Sequence, residues 1–156
     1  MTQKTFFGLE WPNNSPAETA IYTLGALHNL MQHRLEKVIL PHGIGLTAFN
    51  ILLIVKHATD PKGTSQIAIS RQLIMNPSNT TRIIDSLVQK KYITRKPSPQ
   101  DRRVNLIKIT LKGDALVEHA FKGHLELIEK LGGVLSKKEL ADFAKVAGNW
   151  LTKINV

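Results

Sequence analysis

Residues 76–103 hold the tightest constraint in this chain: a helix opened by Asn76-Pro77 runs directly into strand, turn and strand. Asn76 is a favourable N-cap, proline is pre-shaped for the first helical position, and no glycine or proline interrupts residues 78–90. The pattern predicts a helix from about Pro77 to Lys90. At about 100° per residue, Thr80, Ile83, Ile84 and Leu87 share one side, while Ser78, Asn79, Arg82, Asp85, Ser86 and Gln89 share the other. Tyr92–Lys96 is rich in strand formers, Pro97–Gln100 is turn chemistry, and Val104–Thr110 returns as a second strand. A helix that feeds straight into a β-hairpin is the ending of a winged helix-turn-helix.

The same segment concentrates charge. From Arg82 to Lys112 stand nine basic and two acidic residues, so most of the formal +9 of this 156-residue chain falls in about a fifth of its length. Basic side chains around a polar helix face and a hairpin suit a polyanion, because neutralised phosphates release condensed counterions. The hydroxyls, amides and guanidinium on the polar side of the helix are groups that bond phosphates and base edges in a major groove. An ordinary solvated helix face has similar composition, so the adjoining hairpin and charge carry the nucleic-acid reading. Arg82 also has Asp85 one turn on, a spacing that predicts a local ion pair of a few tenths of a kcal/mol.

Two motifs in this segment resemble the multiple-antibiotic-resistance regulator (MarR) family of winged helix-turn-helix transcription factors. Asn76-Pro-Ser-Asn-Thr-Thr-Arg-Ile-Ile-Asp-Ser-Leu87 is similar to the family's S-x-S-x-V-T-R-L-V-D-x-L reading helix. Asp101-Arg-Arg-Val-Asn-Leu-Ile-Lys-Ile-Thr-Leu-Lys-Gly113 is similar to its D-x-R wing followed by strand and T-x-x-G. The resemblance implies a homodimer that binds double-stranded DNA, with the reading helix in the major groove. Ser78, Asn79, Thr81 and Arg82 are the candidate groove-facing residues, Thr81 on the flank of the face. Arg103 at the wing tip is the candidate for the minor groove, where narrow A/T tracts attract guanidinium groups. Arg102 and Lys96 are the candidate phosphate ligands beside it, and Asp101 is implied to orient the wing rather than touch DNA. The chain departs from the family at Lys91, where a glycine usually follows the reading helix.

The remaining signals are mostly helical. Ser15-Pro-Ala-Glu18 is a capping box, and apolar residues from Ile21 to Val38 recur at threes and fours, which predicts a helix over about 16–39. Pro41–Gly45 breaks it. Thr47 is positioned to cap a second helix ending near Lys56 or His57, and a short helix over about 65–74 is expected to open the helix-turn-helix, with Met75 beneath the turn. Leu111 to about Leu131 is helical, Gly132-Gly133 stops it, and Ser136–Glu139 is a second capping box for a last helix. The fold expected is mainly α with a small β-hairpin wing (α+β). One domain spans residues 1–156: a DNA-binding lobe over about 47–110, flanked by dimerisation helices over about 16–40 and 111–156. The apolar stripes of the terminal helices fit either an intramolecular core or a second copy; the resemblance favours the second, with two-fold symmetry matching a palindromic operator.

Other chemistry finds little support. Without cysteine, the chain has no disulfide framework, thiolate metal site or cysteine redox switch. His28 with His33 and His119 with His124 are each five apart, placing the two rings about 140° apart around a helix, and no metal site is predicted. No nucleophile elbow, phosphate-binding glycine loop or H-E-x-x-H motif occurs, so an enzyme is not expected. No apolar run approaches a membrane span, and residues 1–8 lack a signal peptide's apolar region; a soluble cytoplasmic protein with no membrane partner is the default. Transcriptional repression is the expected activity. A non-specific architectural DNA-binding protein and a protein-interaction module are the alternatives. No cofactor is expected; the family's habit of binding small aromatic acids makes an organic effector plausible, with no pocket residues assigned.

Overall fold

The computed structural model describes residues 15–154, so the expectation for residues 1–8 lies outside the described residues. Helix α1 spans Pro16–Ile39, closed at its start by the reciprocal bonds of the Ser15–Glu18 capping box. A 3-10 turn at Leu40–His42 ends in Gly43, whose φ of 76° is a left-handed conformation that glycine adopts at least cost. Helix α2 then covers Leu46–Lys56. Its cap corrects the expectation for Thr47: Gly45 occupies the N-cap, and the Glu36 carboxylate of α1 accepts the Leu46 N–H at 2.8 Å. An acidic group at a helix N-terminus suits the exposed N–H donors and the dipole there.

Strand β1 (Thr64–Ser65) leads into α3 (Gln66–Gln72), capped by Ser65, and α4 follows at Pro77–Gln89. The wing is β2 (Ile93–Pro97) and β3 (Asn105–Ile109), paired antiparallel from Ile93 opposite Ile109 to Pro97 opposite Asn105. Pro97 therefore closes a strand instead of opening the turn. The predicted hairpin is also extended: β1 pairs with the far side of β3, Thr64 opposite Ile107, giving a three-stranded sheet of order β1-β3-β2.

Helix α2 is the hub of the core, packing against α1, α3, α4 and β3 and against α5 (Leu111–Gly132). Phe49, Leu52, Ile69, Ile84, Leu87, Ile107 and Val117 are buried almost completely around it. Each such side chain stabilises the fold by about 1.5–3 kcal/mol through removal of apolar surface from water. The reading helix is thus held by its inner side, while Ser78, Asn79, Arg82, Ser86 and Gln89 on its outer side are exposed.

The T-x-x-G motif acts as a clasp. Thr110 caps α5 by accepting the Gly113 N–H at 3.0 Å, and its hydroxyl faces the carbonyls of Lys91 and Tyr92 at 2.8 and 3.0 Å. A Cβ at Gly113 would collide with the Tyr92 carbonyl. Glycine is required here by close approach of two backbones. Helix α6 (Lys137–Ile154) opens on the Ser136–Glu139 capping box, whose two hydrogen bonds to the carboxylate lower the Glu139 pKa. None of its described side chains is buried, and Leu140, Phe143, Val146, Leu151 and Ile154 are exposed. Among the described residues no single helix is long and apolar enough to cross a membrane.

Candidate nucleic-acid interface

The N-terminus of α4 is built by Asn76, whose side chain accepts the Ser78 N–H at 2.9 Å, and by Pro77 at the first helical position. Thr80, Ile84 and Leu87 are buried and Ile83 is half-buried, which leaves Ser78, Asn79, Arg82, Ser86 and Gln89 exposed together. Thr81 is placed differently from its neighbours. It is half-buried, donates to the Pro77 carbonyl at 2.9 Å and accepts from Gln66 Nε2 at 2.6 Å. Its hydroxyl therefore ties α3 to α4, a joint the helical period did not reveal.

Asp85 does not form the predicted pair with Arg82. It faces Arg95 of β2 instead, Nη1 to Oδ1 at 2.7 Å, a partly exposed ion pair between the reading helix and the wing. Strand β2 packs against α4, so the partner of Asp85 comes from a neighbouring element and not from its own helix. Arg82 is exposed and lines a cleft of about 390 Å³ between α4 and the start of α2, together with Glu36, Ile44, Ala48, Ser86 and Lys90.

Both helices of the helix-turn-helix end in the same six-residue cap. After α3, the Met75 N–H reaches the Ser70 carbonyl and the Ile74 N–H reaches Arg71. After α4, the Tyr92 N–H reaches Leu87 and the Lys91 N–H reaches Val88. Such a cap places one residue in left-handed conformation, usually glycine. Here those residues are Ile74 (φ 51°) and Lys91 (φ 61°). The departure at Lys91 therefore leaves the turn geometry intact and stores strain in it. Met75 is only half-buried beneath the first of these turns, short of the plug expected.

At the wing tip, Asp101 Oδ1 accepts the Arg103 backbone N–H at 2.9 Å and faces its Nε at 3.3 Å, while the Val104 N–H closes the turn on the Asp101 carbonyl. The D-x-R spacing has a direct physical meaning, since the acid shapes the turn and aims the arginine outward. The Arg103 side chain is 93% exposed. Lys96 and Arg102 are exposed beside it. Not all nearby cations project outward: Lys90 donates to the Gly43 carbonyl, and Lys112 donates to the Lys90 carbonyl while lying 4.8 Å from the Tyr92 ring centre. These lysines brace the C-terminal end of α4.

An exposed polar helix face, a helical joint behind it and an arginine-tipped wing define a winged helix-turn-helix DNA-binding protein. The MarR family model matches residues 44–104. The HTH-type transcriptional regulator MhqR of Bacillus subtilis (strain 168) is 31% identical over 118 residues, covering 75% of this chain and 79% of that protein. The crystal structure of an S. aureus MepR–DNA complex superposes with a TM-score of 0.79 at 20% identity, covering 90% of this chain and 99% of that one. That of CouR from Rhodococcus jostii RHA1, bound to p-coumaroyl-CoA, gives 0.75 at 16% identity, covering 86% and 93%. The chain belongs to the MarR family of winged helix-turn-helix transcriptional regulators, a DNA-binding and non-enzymatic class.

Proposed function

We propose that this protein is a homodimeric, sequence-specific repressor acting in the cytoplasm on a pseudo-palindromic operator. The observation that carries the reading is the pairing of an exposed Ser78, Asn79 and Arg82 face with a wing whose tip is aimed by Asp101. In it Arg82 reads a base edge, Ser78 and Asn79 bond bases or phosphates, and Thr81 holds the helix on α3. Arg103 enters the minor groove while Lys96 and Arg102 hold phosphates. The apolar face of α6, unburied within one chain, supports a second copy seated against the terminal helices.

Selection of bound duplex from a random pool tests the reading. The expected product is a pair of inverted half-sites about one or two helical turns apart, bound at least about a thousandfold tighter than random duplex. Binding without sequence enrichment would instead mark an architectural protein. Sedimentation is expected to give twice the 17.4 kDa chain mass, and a folded monomer at micromolar concentration would refute the dimer.

Relief of repression by an organic anion belongs to the same proposal. The cleft beside α4 has Arg82 on one wall and Ile44 and Ala48 on the other; with Lys90 engaged on the Gly43 carbonyl and Glu36 on the Leu46 N–H, Arg82 is the cation left, among the described residues lining it, to meet an aromatic carboxylate. A ligand there would draw on the guanidinium that reads DNA and shift the population away from the DNA-fitting state. With p-coumarate as probe, operator affinity is expected to fall, and Arg82→Lys to blunt the fall; unchanged affinity at millimolar probe would exclude this acid as the effector.

A further inference from the structure

Ile74 sits in the turn between α3 and α4 with a φ of 51° and 74% of its surface exposed. Both features are unfavourable. Left-handed conformation is unfavourable for any L-residue, and a β-branched side chain is a particular outlier there. The side chain recovers little by burial. Elsewhere among the described residues, left-handed positions are filled in the ordinary way by Gly43 and Gly63. Lys91, the other exception, carries a solvated cation, whereas Ile74 presents bare hydrocarbon.

The position gives the strain a purpose. Leu73 and Met75 on either side are half-buried, so Ile74 points away from the core. The chain then passes through Asn76 into Pro77 and Ser78, the first turn of the reading helix. A recognition helix meets base edges through its N-terminal residues, and the one apolar mark in the major groove is the 5-methyl of thymine. We infer that Ile74 is a specificity-determining residue, held outward by the turn to contact a thymine methyl at the edge of each half-site. This rests on α4 entering the major groove as proposed above.

The test uses the duplex selected by the wild-type protein, with each thymine in turn replaced by deoxyuridine, which lacks only the methyl. One replacement per half-site is expected to weaken wild-type binding about four- to tenfold. Ile74→Gly and Ile74→Asn, both suited to left-handed backbone, are expected to lose a similar factor on the parent duplex and to ignore that replacement. Their urea midpoints should rise at the same time, because strain is released. Unchanged affinity in both variants, or losses that simply multiply with every deoxyuridine, would overturn the inference while leaving the major-groove reading standing. A wild-type protein that selects no sequence at all would remove both.

Discussion

Replacing Lys91 by glycine should make the protein more stable, against the usual direction of substitutions. Lys91 is fixed at φ 61° by its own N–H bond to Val88 and by the Tyr92 N–H bond to Leu87, at 2.9 and 3.0 Å. Its carbonyl receives the Thr110 hydroxyl at 2.8 Å, a backbone contact that any residue would keep. The side chain is exposed, so little packing is lost. Glycine removes about 1–2 kcal/mol of left-handed strain and gives back about 0.5–1 kcal/mol through the greater freedom of its unfolded chain. The expected net gain is about 0.5–1 kcal/mol. In urea titrations at fixed protein concentration this should raise the midpoint by roughly 0.2–0.5 M with an unchanged slope. Lys91→Ala separates backbone from charge, because it removes one cation from a crowded basic segment yet keeps the Cβ. It should stay within about 0.5 kcal/mol of wild type. An alanine variant as stable as the glycine variant would mean that relieved repulsion, not backbone strain, was responsible; a glycine midpoint at or below wild type would refute the reasoning outright.

Three further outcomes follow from the geometry. Arg103→Ala should weaken operator binding by about 1–3 kcal/mol in a fixed-salt titration while leaving the urea midpoint unchanged, since its side chain is almost wholly exposed. Gly113→Ala should destabilise by about 1–3 kcal/mol, because the new methyl would lie 2.9 Å from the Tyr92 carbonyl carbon with no flexible neighbour to yield; an unchanged melting curve would show that the clasp adjusts. Burial against Phe49 and Phe121 pushes the His124 pKa below the ordinary imidazole range. The unfolded chain then takes up its proton first, so this contribution to stability is intact above about pH 6.5 and is lost as pH falls through the folded-state value. His124→Phe should flatten that part of the stability profile between pH 7.5 and 5, and an unaltered profile would assign the slope to other groups.

The helices were legible because their ends are written locally. Ser15–Glu18, Asn76-Pro77 and Ser136–Glu139 each place a cap and its partner within a few residues, and α1 and α4 begin where those signals put them. What escaped depends on residues far apart in sequence. Strand β1 has only two residues, too few for any period, and exists because β3 offers it an edge. The cap of α2 comes from Glu36, ten residues upstream, so the nearer Thr47 was the wrong choice. Within the site, the exposed and buried sides of α4 followed from its period, and the D-x-R spacing located the wing tip. The Asp85–Arg95 pair and the Gln66–Thr81 joint did not follow, since each spans two elements. Ile74 was visible as a residue but not as a strained one, because strain at φ 51° appears only once the cap after α3 is known.

The same distinction changes how the basic segment should be counted. Nine cations lie between Arg82 and Lys112, yet Lys90 and Lys112 brace carbonyls at the end of α4 and Arg95 is held by Asp85. Arg82, Lys91, Lys96, Arg102, Arg103 and Lys108 are the exposed remainder. Each phosphate contact adds about 0.9 to the slope of log affinity against log salt, so six per protomer set a ceiling of roughly 5 for this segment, against roughly 8 if all nine took part. Single substitutions discriminate better than the total, because other cations elsewhere on the surface add to it. In the proposed dimer, with one phosphate contact from each protomer, Lys96→Ala or Arg102→Ala should flatten the slope by about 2. Arg95→Gln should lower affinity by freeing the wing from α4 while leaving the slope as it was. If Arg95→Gln flattened the slope as much as Arg102→Ala, Arg95 would be a phosphate ligand that exchanges Asp85 for DNA, and the wing would be held to the reading helix only in the unbound protein.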